Sequence, residues 1–191
     1  KENEYIDFDY EGLISKMISQ EGPSLAIADI NGDGNDDIFI GGAKGTSGNI
    51  YLNNGNNTYT ITKQIDLASD MNYEDTAATF FDVDNDGDLD ILMTNQFGAP
   101  FFYKNEVKNK SWIGVKLNGN GVSTNKDAVG TKVWLTYMAN GKKVTQYKEV
   151  RLVNGFSAMG DTRLLFGMGD GKNKLSDVVL KIRWHNGKED V

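Results

Sequence analysis

The residues best placed to do chemistry in this chain are carboxylates and carboxamides set at every second position in two short runs. The first run holds Asp29, Asn31, Asp33, Asn35 and Asp37; the second holds Asp82, Asp84, Asp86, Asp88 and Asp90. Alternate residues of a tightly curled segment turn their oxygens to one side. Ca2+ is a hard cation that takes about six to eight oxygens at roughly 2.3–2.6 Å, so nine residues of this kind supply most of one coordination shell. Gly34 and Gly87 both fall at the sixth position, where the chain must turn sharply and a Cβ is costly. The seventh position of such loops gives its backbone carbonyl, so Asn35 and Asp88 are expected to contribute main-chain oxygen. Two calcium sites are therefore expected. The twelfth position is Ile40 or Met93, so the bidentate Glu of an EF-hand is missing and a strand follows instead of a helix. Mg2+ keeps its waters and rarely uses an all-protein cage, and Zn2+ wants His or Cys. The plainer alternative is a pair of Asx turns between strands. Strict alternation found twice favours the cation.

Each run needs an element at both ends to hold it. Ser24-Leu-Ala-Ile-Ala-Asp29 leads into the first and Asp37-Ile-Phe-Ile leaves it, while Ala77-Ala-Thr-Phe-Phe-Asp82 and Asp90-Ile-Leu-Met serve the second. The two copies are offset by 53 residues. Downstream, Tyr51-Leu52-Asn53-Asn54 recurs as Tyr103-Lys104-Asn105-Glu106 at an offset of 52, which implies one deleted residue. The apolar runs are short and edged by Gly, Asn and Asp, so each unit reads as strand, loop, strand, turn, strand. A period of about 50 residues with three or four strands suits one blade of a β-propeller. Leu13, Ile14, Met17 and Ile18 are spaced for a short helix over residues 12–20.

Residues 111–191 carry no such loop but still read as β structure. Val133, Leu135 and Tyr137 alternate with Lys132, Trp134 and Thr136, and Val178, Leu180 and Ile182 alternate with Val179, Lys181 and Arg183. Asn140-Gly141 and Asp170-Gly171 are hairpin signals. The fold class expected is all-β: two propeller-blade-like repeats in residues 1–110, then a sandwich- or barrel-like β domain in residues 111–191.

Charge divides at the same place. Residues 1–110 hold 20 acids and 7 bases, while residues 111–191 hold 7 acids and 13 bases, within a total of −7. Such a split suggests two modules. Nine of the N-terminal acids lie in the two runs, and that crowding is self-repelling unless a cation sits among them. The C-terminal lysines are scattered through turns and strands, so a solvated surface is expected there and no nucleic-acid partner. The 22 glycines, nine Phe and eight Tyr in 191 residues favour short strands and tight turns. No apolar run approaches the roughly 18 residues that span a bilayer. Lys1 in place of an initiator Met points to processing or to an excised fragment.

Several chemistries are excluded or disfavoured. The chain has no Cys and one His, which removes disulfides, thiolate catalysis and any His-based metal cluster. A Ser-His-Asp triad would have to use His185, which sits in a Trp-His-Asn-Gly turn without a nucleophile motif. The run Gly41–Gly48 has its Lys44 before the glycine and no helix after it, so it reads as a hairpin turn and not a phosphate loop. Glu74, Asp75 and Glu106 are the carboxylates outside the runs that a glycosidase would need, but no catalytic residue is expected. Trp112, Trp134, Trp184 and Phe101-Phe102-Tyr103 read as core positions, with a sugar-stacking face as the alternative.

The intact Asp-x-Asn/Asp-x-Asp-Gly-x-x-Asp pattern in both copies, with Phe97-Gly98-Ala99-Pro100 between them and the next turn, resembles the FG-GAP (or VCBS) repeats of integrin-type β-propellers. The resemblance spans roughly residues 8–107. It implies loops that bind calcium and tie blade strands together, and partners that bind on the propeller faces. A closed propeller needs more than two such repeats, so the full protein is expected to continue into further blades. Trp112–Gly119, Asn125–Leu135, Gln146–Arg151, Gly155-Phe156-Ser157, Leu165–Gly169 and Lys181–Gly187 together resemble the ASPIC/UnbV domain, which commonly follows FG-GAP repeats in secreted bacterial proteins and in cartilage acidic protein. His185 departs from that pattern, which often has Pro after the Trp. The resemblance implies an all-β module on an extracellular protein and no known activity, and the function expected is a non-enzymatic module of a secreted or cell-surface protein that binds or scaffolds a protein or glycan. The alternative is an ancillary, carbohydrate-binding domain of a carbohydrate-active enzyme.

Overall fold

The structure is a computed structural model, and it describes residues 6–17, 23–62, 66–69, 71–95, 98–107, 111–155, 158–159, 161–169, 171–172 and 174–191. The first repeat forms a four-stranded antiparallel sheet in chain order: β1 (Leu25–Ala28), β2 (Asp37–Ile40), β3 (Asn49–Asn53) and β4 (Tyr59–Thr62). The second forms a three-stranded sheet of β5 (Asp75–Phe81), β6 (Asp90–Asn95) and β7 (Phe101–Tyr103). Each Asp run is the connection from the first strand of its sheet to the second. Ala28 pairs with Asp37 across the first run, and Phe81 pairs with Asp90 across the second. The entry strands β1 and β5 pack side by side, as the inner strands of neighbouring blades do. The two sheets share one core, with Phe39 and Met93 fully buried and Ala26, Ala78, Phe80 and Ile91 around them. Ala26 and Ala78 let the sheets approach closely, and truncating Phe39 there would cost about 3–5 kcal/mol.

The C-terminal region has its own core. Strands β9 (Lys132–Ala139), β10 (Lys142–Glu149), β14 (Leu175–Arg183) and β15 (Glu189–Asp190) form a sheet in the order β10-β9-β14-β15. Facing it, β8 (Trp112–Val115) pairs with β13 (Leu164–Gly167). Val133, Leu135 and Tyr137 fill the space between them with Val115, Val150, Leu164 and Phe166. Two sheets around one core make a sandwich-like packing, and no sheet closes into a barrel among the described residues. A short hairpin, β11 (Val153–Gly155) and β12 (Ala158–Met159), leaves this region and packs against β1 and β5.

Local expectations fare unevenly. Asn140 and Gly141 join β9 to β10 with φ of 51° and 78°, the two left-handed residues a type I′ hairpin needs. Asp170 lies outside the described residues. In β14 the register shifts between Ser176 and Val179, where Asp177 has φ 53°. This bulge turns Val178 outward, against the simple alternation, while Leu180 and Ile182 still reach the core. No helix forms over residues 12–17, and residues 18–20 lie outside the described residues. Leu13 is fully exposed, and so short an apolar stripe does not hold a helix without a surface to pack on. Among the described residues the helical turns are the 3-10 segments Asp7–Asp9 and Asp66–Ser69.

None of the three Trp residues enters either core, contrary to the expectation. Trp134 lies between Tyr147, at 5.3 Å between ring centroids, and the Lys181 ammonium at 5.9 Å. Trp184 donates its indole N–H to Asp190 Oδ2 at 2.7 Å. Trp112 covers the second Asp run. Phe101 and Tyr103 pack against the repeat core, while Phe102 is exposed.

Candidate metal centre

Both runs curl by the same backbone route. Gly34 and Gly87, at the sixth position, share φ 92°, and Gly32 and Asn85, at the fourth, have φ 70° and 61°. Four left-handed residues at matching positions wind the two segments identically, and Asn is the non-glycine residue that tolerates this region well.

The closing aspartates do the same work in each copy. Asp37 Oδ2 accepts the Ile30 N–H at 3.0 Å and its Oδ1 accepts the Asn53 N–H at 2.8 Å. Asp90 Oδ2 accepts the Val83 N–H at 3.0 Å and its Oδ1 accepts the Asn105 N–H at 2.9 Å. Both side chains are fully buried. Each carboxylate therefore joins the start of its loop to the end of the third strand or the residues just after it. Asn105 reaches further, donating to the Ile30 carbonyl of the other repeat at 3.0 Å and so linking the two loops.

The remaining positions differ between copies. In the first loop nearly every side-chain oxygen is already engaged. Asp29 accepts the N–H groups of Asp33 and Gly34, each at 3.0 Å. Asn31 Oδ1 accepts the Asp33 N–H at 2.9 Å, and Asp33 Oδ1 accepts the Asn35 N–H at 2.8 Å. The Asn31 and Asn35 amides also donate to Asp33, at 3.1 and 3.0 Å. In the second loop the equivalent bonds lengthen, with Gly87 N–H to Asp82 and Asp86 N–H to Asp84 at 3.3 Å and Asp88 N–H to Asp86 at 3.2 Å. There the carboxylates of Asp82, Asp84 and Asp86 converge, each offering an oxygen within 4.8 Å of the others. Asp82 and Asp88 are 7% and 6% exposed, and the Oδ1 of each is buried with no hydrogen-bond partner.

Proton affinities follow this crowding. Burial, then the neighbouring Asp86, pushes the Asp88 carboxyl up to about 7. Burial raises Asp37 to about 6 against the pull of its two backbone donors, and burial raises Asp29 as well. Asp84 is lowered, because Lys104 Nζ bonds its Oδ2 at 2.5 Å. Lys104 is a cation already resting on the second loop. The first repeat has Leu52 at the matching position.

All ten residues expected as ligands lie in the two loops, and Asp82, Asp84 and Asp86 are brought together most closely. Asp88, expected to offer its main-chain oxygen, also turns a buried side-chain oxygen into the loop. A buried carboxylate oxygen without a hydrogen-bond donor fits a hard cation. The docking of both loops on the C-terminal region had no signal in the spacing. Gly87 lies under the Trp112 indole so closely that no Cβ fits between them. Arg163 donates to the Asp82 carbonyl and to Asn85 Oδ1, both at 2.6 Å. Lys148 bonds Asp36 at 3.1 Å, and Gly169 N–H donates to the Gly32 carbonyl at 2.8 Å.

The other tempting motifs have structural roles. Gly41–Gly48 connects β2 to β3, and Gly42 N–H donates to the buried Asp75 carboxylate at 2.7 Å. His185 is exposed in the turn between β14 and β15. Phe97, Phe156 and Ser157 lie outside the described residues.

Comparison with protein families agrees with this layout. The family described as FG-GAP-like repeat matches residues 29–93, a span that begins on Asp29, the first residue of the first loop, and contains all of the second. The family described as ASPIC and UnbV matches residues 121–191. No match is found among curated proteins. An FG-GAP-like repeat match is thus followed by an ASPIC and UnbV match along this chain.

Proposed function

We propose that this chain is a calcium-binding, non-enzymatic module of a secreted or cell-surface protein, built to bind or scaffold a protein or glycan partner. The observation that carries the calcium reading is the pair of buried, unpartnered oxygens, Asp82 Oδ1 and Asp88 Oδ1, beside the converging carboxylates of Asp84 and Asp86. A divalent cation satisfies those oxygens and neutralises their repulsion. Asp82, Asp84, Asp86, Asp88 and Asp90 would hold it in the second loop. Asp29, Asn31, Asp33, Asn35 and Asp37 would do so in the first, a reading supported by the shared backbone conformation. The ion's contribution is structural: it cross-links the end of one strand to the start of the next. Loops of this kind fold with calcium even when affinity is modest, because extracellular supply is millimolar.

Two modules, residues 1–110 and 111–191, are supported by the two separate cores. The absence of catalysis is supported by the family context and by the engagement of Asp75 and the exposure of His185. Among the described residues no helix is long and apolar enough to cross a membrane.

The alternative, an ancillary domain of a carbohydrate-active enzyme, draws on a groove of about 730 Å3 between the repeats and the C-terminal region, lined by Phe81, Trp112, Tyr147, Glu149, Asp161 and Arg163 among others. Aromatic rings beside charged groups suit a sugar. A glycan array separates the two readings: specific sugar capture favours the second. The calcium reading is tested by thermal unfolding. Excess EDTA should lower the Tm by about 5–10 °C, on the basis of roughly 2.7 kcal/mol of stabilisation at a hundredfold excess over Kd. An unchanged melting curve would sink it.

A further inference from the structure

We propose that the C-terminal region is part of the calcium-binding device: Arg163 and Gln146 act as positioning residues for the two loops, and calcium loading and docking of the two regions form one coupled equilibrium. This rests on the calcium reading above.

The observations lie mainly on the backbone of each loop, and in the first loop they reach the Asp29 carboxylate as well. In the second loop Arg163 holds two points at once, the carbonyl of Asp82 at position 1 and the side chain of Asn85 at position 4. Its guanidinium is itself fixed, because Nε and the backbone N–H donate to the two oxygens of Asp161 at 2.6 and 2.9 Å. Trp112 closes over position 6. In the first loop the same positions are held by other means. Gly169 N–H binds the carbonyl of Gly32 at position 4. Gly167 fits so tightly against Asp29 and Gly32 that any side chain there would collide with them. Gln146, buried at 8% exposure, donates to the Gly167 carbonyl and to Tyr137 Oη at 3.2 Å. A Cβ on Gly34 would come within 2.9 Å of that amide.

Positions 1, 4 and 6 decide the loop's winding, since 4 and 6 carry the left-handed residues and 1 carries a ligand. A grip on those positions sets where the ligand oxygens point. Reciprocally, a cation that winds the loop presents the Asp82 carbonyl, Asn85 Oδ1 and the Gly32 carbonyl at the spacing their partners need. Linkage requires the two effects to be equal in free energy.

Charge makes the test decisive. Arg163 carries a positive charge within hydrogen-bond distance of the second loop. On Coulombic grounds alone its removal should tighten calcium binding. Positioning predicts the reverse. Calcium titrations by calorimetry on the intact chain should show Arg163→Ala weakening one of the two sites by about tenfold, within the usual range of coupling. Arg163→Lys, which keeps the charge but loses the fork, should weaken the same site. Gln146→Ala should weaken the other. Hydrogen exchange supplies the converse readout and does not depend on any variant folding. In the wild-type chain, EDTA should speed exchange of the Gly169 amide, whose acceptor lies in the first loop, and leave the β9–β10 hairpin amides unchanged. Unaltered or tighter calcium binding in Arg163→Ala, or a Gly169 amide indifferent to EDTA, overturns the coupling while the calcium reading stands. A wild-type chain that shows no calcium heat overturns the calcium reading itself.

Discussion

The two aspartate loops share a backbone and differ in how their side chains are engaged. The first loop is closed on itself: Asn31 and Asn35 donate to Asp33, and Asp29 accepts two backbone N–H groups. The second has carboxylates where the first has Asn. It loses those donors, its hydrogen bonds lengthen, and two buried oxygens go without a partner. Carboxamides stabilise a curled loop by bonding within it. Carboxylates at the same positions repel one another and lack those donors. The same fold element thus bonds within itself in one repeat and leaves buried oxygens unpartnered in the next.

The largest expected effect is one the loops share. Asp37→Ala and Asp90→Ala each remove a fully buried carboxylate that accepts two backbone N–H groups, so both should lose about 2–4 kcal/mol in the absence of calcium. Urea unfolding in EDTA measures this, and a marked difference between the two variants would break the equivalence at position 9. The next effect separates the loops by sign. Asp33→Ala removes the acceptor of the Asn35 N–H and should destabilise the metal-free chain by about 1 kcal/mol. Asp86→Ala relieves repulsion and should leave the metal-free chain as stable or more so, while abolishing the calcium response of that loop. If both variants lose stability equally in EDTA, the two loops are alike after all.

A pH series in EDTA sharpens the contrast further. Asp37 and Asp88 are raised to about 6 and about 7, so the folded chain holds these protons more tightly than the unfolded chain does. Their contribution is full below the ordinary carboxyl value of 3.8 and is lost as pH rises through 6 and 7. The metal-free Tm should therefore fall between pH 4 and pH 7, and Asp88→Asn should flatten the upper part of that fall. Asp84 is lowered and acts in the opposite sense, at lower pH. The smallest effect concerns Lys104, which rests on Asp84 where the first repeat has Leu52. The contact is exposed, so Lys104→Leu should tighten calcium in the second loop by only about two- to fivefold, read by competition with a chromophoric chelator.

Much of the candidate site was legible because its signal is local. Oxygen-bearing side chains at alternate positions and a left-handed glycine at the sixth are set by residue type and by φ, and both act within nine residues. The strands on either side, and the I′ turn at Asn140-Gly141, were legible for the same reason. What failed was the reading of faces. Val178 follows the alternation but turns outward at the Asp177 bulge, and the aromatic spacing of Trp112, Trp134 and Trp184 says nothing about which side another sheet covers. The Leu13–Ile18 stripe has helical spacing, yet over residues 12–17 it finds no surface to pack on.

By itself the sequence determined the two curled loops, their oxygen donors, the β character of both halves and the division of charge between them, because each depends on residue type within a short span. Only the tertiary structure decided that the two repeats share a core, that Asp88 buries its carboxylate, and that Arg163, Gly167 and Trp112 close on the loops from the other half of the chain. Those contacts join residues about 25 to 140 positions apart. They arise from how sheets pack and how Asn105, Arg163 and the hairpin of β11 and β12 bridge them, and no spacing within either partner encodes such a meeting.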